Sequence, residues 1–190
     1  MVTDPLIQLA RRYVDLSAAD VEQITSTWEA SVPVEPGQTF LRPGQTCNAL
    51  RFQDEGYSRF FAETDASDIT RHFVPPGTLF TVVASYYPMA PSREGLQALT
   101  QGHIRTLSRE SNGRLSAEIP AWAAFRRSYV REVYAYLDET LDTLRSKTAG
   151  ERYEAFERDQ PDILLNVPLR HVASYLGMTP QSLSRVRTRR

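Results

Sequence analysis

Gln181, Ser184 and Arg185 are an amide, a hydroxyl and a guanidinium set close together near the end of the chain. On a helix, residues three and four apart share a side, so all three project together. Side chains of these types hydrogen-bond to base edges in the DNA major groove. An arginine in particular can hold the O6 and N7 of a guanine with two bonds. Around them stand groups suited to phosphate oxygens: Arg170, Thr179, Ser182, Arg187 and Arg189. From Ile163 onward there are five arginines and no Asp or Glu, a segment of +5 in a chain of net charge −1, which leaves −6 for the rest. A basic segment on an acidic body is the electrostatic footprint of a nucleic-acid contact. The plainer reading is a solvated basic tail behind an ordinary helical hairpin.

The order of signals around these residues favours the sharper reading. Leu169, Val172, Ala173 and Leu176 have the i, i+3, i+4, i+7 spacing of a helix face. Gly177 follows where a left-handed residue ends a helix. Thr179 is placed as an N-cap with Pro180 at the first helical position. Leu183 and Val186 turn a second helix back onto the first, a helix-turn-helix. His171, on its first helix, is expected to face phosphate.

Upstream, the chain has 190 residues with 41% hydrophobic and 24% charged, the composition of an ordinary globular chain. Leu6, Leu9, Ala10 and Tyr13 mark a first short helix, and Ser17 with Asp20 forms a capping box before Val21, Ile24 and Trp28. From 31 to 108 the texture is short apolar segments (32–35, 39–42, 48–53, 57–62, 68–74, 79–83, 95–100 and 104–108) divided by Pro, Gly, Asn and Asp. Turn signals at intervals of about ten residues predict a β-sandwich or barrel, which would enclose a pocket. Helical periodicity returns at Ile119-Pro120 and runs to about Ser146, with two apolar stripes. Trp122, Phe125, Tyr129, Val133 and Tyr136 suit packing on the chain's own barrel. Val130, Tyr134, Leu137, Leu141 and Leu144 keep the 4-3 spacing of a coiled-coil seam, which predicts a second copy of the same helix as partner. A helix buried between two domains of a monomer is the alternative. Gly150 reads as a break, followed by one more helix over 151–158 in which Tyr153 and Phe156 face inward.

Helical cap, eight-strand roll, long helix and C-terminal helix-turn-helix, in that order, resemble the cyclic-AMP receptor / fumarate-nitrate regulator (Crp/Fnr) family. The resemblance is sharpest at 41–61 (L-R-P-G-Q-T-C-N-A-L-R-F-Q-D-E-G-Y-S-R-F-F) and 151–185 (E-R-Y…V-P-L…V-A-S-Y-L-G-M-T-P-Q-S-L-S-R), the latter similar to short members from Bacteroidetes. It implies an α+β chain: a sensory roll with N-terminal helices (1–118), a dimerisation helix (119–146) and a winged-helix-like DNA-binding unit (147–190). It also implies a cytoplasmic homodimeric transcription regulator that is not an enzyme, with double-stranded palindromic DNA as partner and RNA polymerase as a candidate. The sequence ends four residues beyond Val186 without the C-terminal wing of longer members, so weaker DNA binding is expected. A sensor module acting through protein contacts is therefore a second reading.

The ligand pocket that the resemblance implies lies at Phe80, Val82, Ser92 and Arg93, and it departs from the family's pattern. Thr81 stands for the family's Gly, Val82 for the carboxylate that holds the ribose, and Ser92 for the arginine that holds the cyclic phosphate. Cyclic AMP is not the expected effector; another small ligand, or none, is. Cys47 is the sole cysteine, so a four-cysteine iron–sulfur sensor is excluded, and it reads as a buried small residue. His72 and His103 are the haem-ligand candidates on predicted strands, with a hydrogen-bonded or surface histidine the simpler reading. A metal-dependent cupin needs an H-x-H pair, which His72, His103 and His171 do not supply. No catalytic or metal-binding residues and no cofactor are expected, and no run approaches the ~20 apolar residues of a membrane span.

Overall fold

A computed structural model describes residues 4–64 and 68–188. Asp4 caps α1 (Pro5–Arg11), its Oδ1 accepting from the Leu6 N–H at 2.8 Å. In α2 (Ala18–Thr27) Ser17 and Asp20 form the reciprocal capping box that the sequence predicts. Leu6, Ile7, Leu9, Ala10 and Ile24 are buried with Trp28 against Trp122 and Phe125. The two N-terminal helices thereby close one end of the roll.

Eight strands follow: β1 (Val32–Val34), β2 (Thr39–Leu41), β3 (Ala49–Glu55), β4 (Ser58–Glu63), β5 (Asp68–Val74), β6 (Thr78–Phe80), β7 (Gly95–Ala98) and β8 (Gly102–Ser108). They form two antiparallel four-stranded sheets, β1-β8-β3-β6 and β2-β7-β4-β5. Leu41, Cys47, Val74, Phe80, Val82 and Leu96 pack together inside. Gly56 is required at its turn, because it has φ +77° and a Cβ there would lie 2.5 Å from the Gln101 carbonyl oxygen.

The expected strand over 79–83 is cut short. After Phe80, Thr81 donates to the Ala49 carbonyl at 2.9 Å, and Val83–Tyr86 forms a one-turn helix, α3. The Val82-Val83 pair looks extended by its β-branching, but Val82 is buried while Val83 is exposed, and the Tyr86 N–H reaches back to the Val82 carbonyl at 2.7 Å. A second helix unforeseen in the sequence, α4 (Arg109–Glu118), is capped by Ser108 and buries only Asn112 and Leu115. Asn112 is satisfied in the interior: its amide donates to the Tyr86 hydroxyl at 2.9 Å and its carbonyl accepts from Trp122 Nε1 at 3.1 Å.

Pro120 then opens α5 (Pro120–Ser146), whose 27 residues span about 40 Å at the helical rise. Trp122 and Phe125 are buried under the roll. Farther along, Tyr136 leaves the roll; its hydroxyl lies 3.2 Å from that of Tyr175 and accepts from Gln160 Nε2 at 2.7 Å. The aromatic stripe thus joins two units rather than seating on one. Beyond it lie α6 (Ala149–Asp159), α7 (Pro161–Asn166), α8 (Leu169–Tyr175) and α9 (Pro180–Thr188). Gly150 does not break the chain. It sits in the first turn of α6, and the break falls at Lys147 ahead of a Thr148/Glu151 capping box. Leu169 is likewise 37% exposed rather than on the buried face, because it opens the first turn of α8 while Ile163 and Val167 fill the core beneath. Among the described residues no helix is long and apolar enough to cross a membrane.

Candidate nucleic-acid interface and the junction behind it

The turn between α8 and α9 is closed at both ends by hydrogen bonds. Gly177, at φ +65°, donates to the Ser174 carbonyl at 3.1 Å, and the Met178 N–H reaches Ala173 at 2.9 Å, the double bond of a Schellman ending. Thr179 Oγ1 then accepts from the Ser182 N–H at 3.1 Å and so caps α9. Val172, Ala173 and Leu183 are buried where the helices cross. With that face closed, Gln181, Ser184, Arg185 and Arg187 are exposed and Ser182 is half-buried. Arg185 Nη2 donates to Ser182 Oγ at 3.2 Å, one turn back on the same helix. Arg170 is exposed on α8, and Arg189 lies outside the described residues.

His171 does not face outward. It is 7% exposed, turned toward the roll, and accepts from Arg170 Nε at 3.2 Å. Burial first, then the guanidiniums of Arg59 and Arg170, push its imidazole down to about 4, with Asp68 opposing. Its surroundings are a junction that sequence reasoning missed. Arg59, on β4, is only 1% exposed. It donates to both carboxylate oxygens of Asp68 at 2.9 and 2.5 Å, to Thr70 Oγ1 at 3.0 Å and to Gln97 Oε1 at 2.8 Å, and its guanidinium lies 5.0 Å from the Phe61 ring centre. The Arg59 hydrogen bonds hold the Asp68 carboxyl below its usual range. The Thr70 N–H, in turn, donates to Ser174 Oγ on α8 at 3.0 Å. Phe73 packs its ring 5.2 Å from Tyr175 and 6.0 Å from Phe156. A cleft of about 900 Å³ remains beside this contact, walled by Arg59, Asp68, Arg170, Ser174 and Thr179.

Within the roll, Phe80 and Val82 are buried in the apolar cluster. Ser92 is also buried, and its hydroxyl accepts from the Glu94 N–H at 3.0 Å and donates to the Glu94 carbonyl at 2.6 Å. Arg93 is exposed. Burial raises the Glu94 carboxyl above its ordinary value, with Arg71 opposing. His72 lies edge-on to Phe60, and burial, then Arg71, pushes its imidazole down to about 4. On α5, Val130, Tyr134 and Leu141 are exposed at 45%, 72% and 49%, while Leu137 and Leu144 are half-buried.

Solved structures superpose on the chain along most of its length. FixK2 from Bradyrhizobium japonicum superposes with a TM-score of 0.74 at 16% identity, over 84% of this chain and 83% of its own. A protein from Eubacterium rectale assigned to the Crp/Fnr family superposes at 0.69 with 15% identity, over 90% and 82%. This is the Crp/Fnr fold. The c-di-GMP responsive global regulator CLP of Xanthomonas campestris shares it at 0.71 with 14% identity, over 91% of each chain. No family model and no curated protein sequence matches the chain. In this fold the C-terminal helix pair follows α5 in the chain, and α8 packs directly on β5 of the roll.

Proposed function

We propose that the chain is a homodimeric, DNA-binding transcription regulator of the Crp/Fnr family, working in the cytoplasm with RNA polymerase as its candidate partner. The observation that carries this reading is the polar face of α9. Gln181, Ser184 and Arg185 are exposed there while Leu183 on the opposite face is fully buried. A helix held by one face on a helix-turn-helix, with base-reading groups on the other, is built to lie in a major groove. Thr179, Ser182, Arg170, Arg187 and Arg189 are assigned to phosphates. The seam Val130–Tyr134–Leu137–Leu141–Leu144, three of whose side chains are exposed and two half-buried, supports the dimer, and a parallel pairing of two α5 helices is the one that offers both α9 helices to one duplex.

On this reading the roll is not a cyclic-nucleotide sensor. Val82 supplies a buried isopropyl group where a ribose needs a carboxylate, and the Ser92 hydroxyl is already committed to Glu94. Another small ligand in the roll, or none, takes its place. The second reading, a sensor that acts through protein contacts, is favoured by one feature: α8 is held against β5 by Thr70–Ser174 and the Phe73–Tyr175 contact.

Arg185→Ala separates the two. A bidentate arginine–guanine contact discriminates by about 1–3 kcal/mol, and a two-fold complex contains it twice. The substitution is expected to weaken binding to a selected palindrome by one to several orders of magnitude and barely to change binding to random DNA. Arg189→Ala is expected to weaken both alike and to flatten the salt dependence by about one unit for each phosphate it leaves unneutralised. Equal effects of the two on fluorescence anisotropy titrations would demote Arg185 to a phosphate clamp, and no DNA binding by the parent chain would favour the second reading.

A further inference from the structure

The seam of α5 does not begin at Val130. Three residues before it, and four before that, the 4-3 spacing continues through Arg127 and Ala123. Arg127 thus takes a core position of the heptad, with Arg126 just before it and Arg131 just after Val130 at the flanking positions. In a parallel, in-register pair, a flanking residue of one helix meets the flanking residue five further along its partner. Arg127 would then face its own copy, and Arg126 would face the second copy's Arg131. Six guanidiniums, three from each copy, would collect around the two-fold axis.

Among the described residues none of the three makes an ion pair with a carboxylate. Arg126 is held by neutral groups, donating to Ser116 Oγ at 2.9 Å and to the Tyr87 hydroxyl at 3.0 Å. Glu132, the nearest acid in sequence, is turned away to Arg12 and Tyr13. Glu118 accepts from Gln23. On α4, Arg109 and Arg114 add positive charge and donate to the Tyr87 carbonyl and Ser111 Oγ, with Glu110 the acid between them. The three α5 arginines, with Tyr87, Ser116 and Val130, wall an open cleft of about 430 Å³. Like charges at a seam oppose association, and a guanidinium fork matches phosphate oxygens in pairs.

We propose that this cleft, completed by a second copy of the chain, binds a small polyphosphate anion on the two-fold axis, so that the anion and dimer assembly favour one another. The inference rests on the dimer of the preceding reading. It places an effector between subunits, apart from the roll.

Analytical ultracentrifugation of the full chain, with inorganic tripolyphosphate against chloride at matched ionic strength near physiological, tests it. Tripolyphosphate is expected to tighten the dimer by about tenfold or more and to bind once per dimer in calorimetry. An equal response to a nucleoside triphosphate would assign recognition to the phosphates alone. A stronger one would place the base against the exposed ring of Tyr87. Arg127→Gln, which removes one of the like charges from each helix of the seam, is expected to dimerise more tightly than the parent without the anion and to lose most of the response. A dimer indifferent to tripolyphosphate would overturn the inference and leave the dimer standing. A chain monomeric in every condition would remove both. A monomeric Leu137→Arg variant that binds tripolyphosphate as tightly as the parent would move the site off the two-fold axis and overturn it too.

Discussion

Arg59 is taken out of water by the roll and surrounded by Asp68, Thr70, Gln97 and the Phe61 ring. Removing one partner of such a pair leaves an uncompensated charge, which typically costs about 3–5 kcal/mol. The same guanidinium helps to keep His171 neutral. This fixes a direction for the pH dependence. His171 and His72 are depressed from 6.5 to about 4, so between those values the unfolded chain binds more protons than the folded one. Stability is present above pH 6.5 and falls as the pH drops toward 4. Asp68, whose folded value lies below its unfolded one, extends the fall to lower pH as it is protonated. Denaturant titrations at pH 7 and pH 4.5 are expected to differ by about 1–3 kcal/mol, with His171→Gln removing part of the difference. A pH-independent midpoint would mean that neither histidine is held neutral. At the proposed pocket, calorimetry with cyclic AMP at millimolar concentration is expected to show no saturable heat, because Val82 and Ser92 supply neither a carboxylate for the ribose hydroxyl nor a guanidinium for the cyclic phosphate; micromolar binding would contradict this. None of the Arg59 network is legible in S-R-F-F-A-E. Nothing there separates a buried cation from a surface one, and the β4–β5 register shifts between Phe60 and Phe61.

At the scale of elements, legibility follows the strength of the local pattern. The start and end of α5, the Ser17 box and the cap sequence Gly177–Thr179–Pro180 are all readable, since each rests on stereochemistry within a few residues. α4 and α7 are not. The first buries two side chains and carries Asn112-Gly113, a pair that reads as a turn. The second is six residues with Ile163 as its buried anchor. For α6 the signal is present: Thr148–Glu151 is a capping box, and it outweighs the Gly150 that reads as a breaker. The exposed seam on α5 gives the element-scale prediction. Leu137→Arg would place an unpaired charge in each helix of the pair at a cost of several kcal/mol. Light scattering is expected to report a monomer, with the melting temperature of the single chain little changed because Leu137 is only half-buried there. An unaltered dimer would put the subunit contact elsewhere.

The whole molecule joins a closed roll to a helix pair through one long helix and a second, direct contact at Thr70–Ser174 and Phe73–Tyr175. Because α8 touches β5, the roll and the helix-turn-helix are joined through packed side chains as well as along α5. On the proposed reading, two such chains paired in parallel would present α9 twice with two-fold symmetry, and that symmetry would appear in the DNA they choose. Selection of bound duplexes from a randomised library by the purified chain tests this directly. Enriched sequences are expected to be inverted repeats, their half-sites about one helical turn, ~34 Å, apart, with a guanine in each half that disappears from the consensus of the Arg185→Ala variant. Enrichment of a single unrepeated half-site, or none above the starting library, would contradict the account.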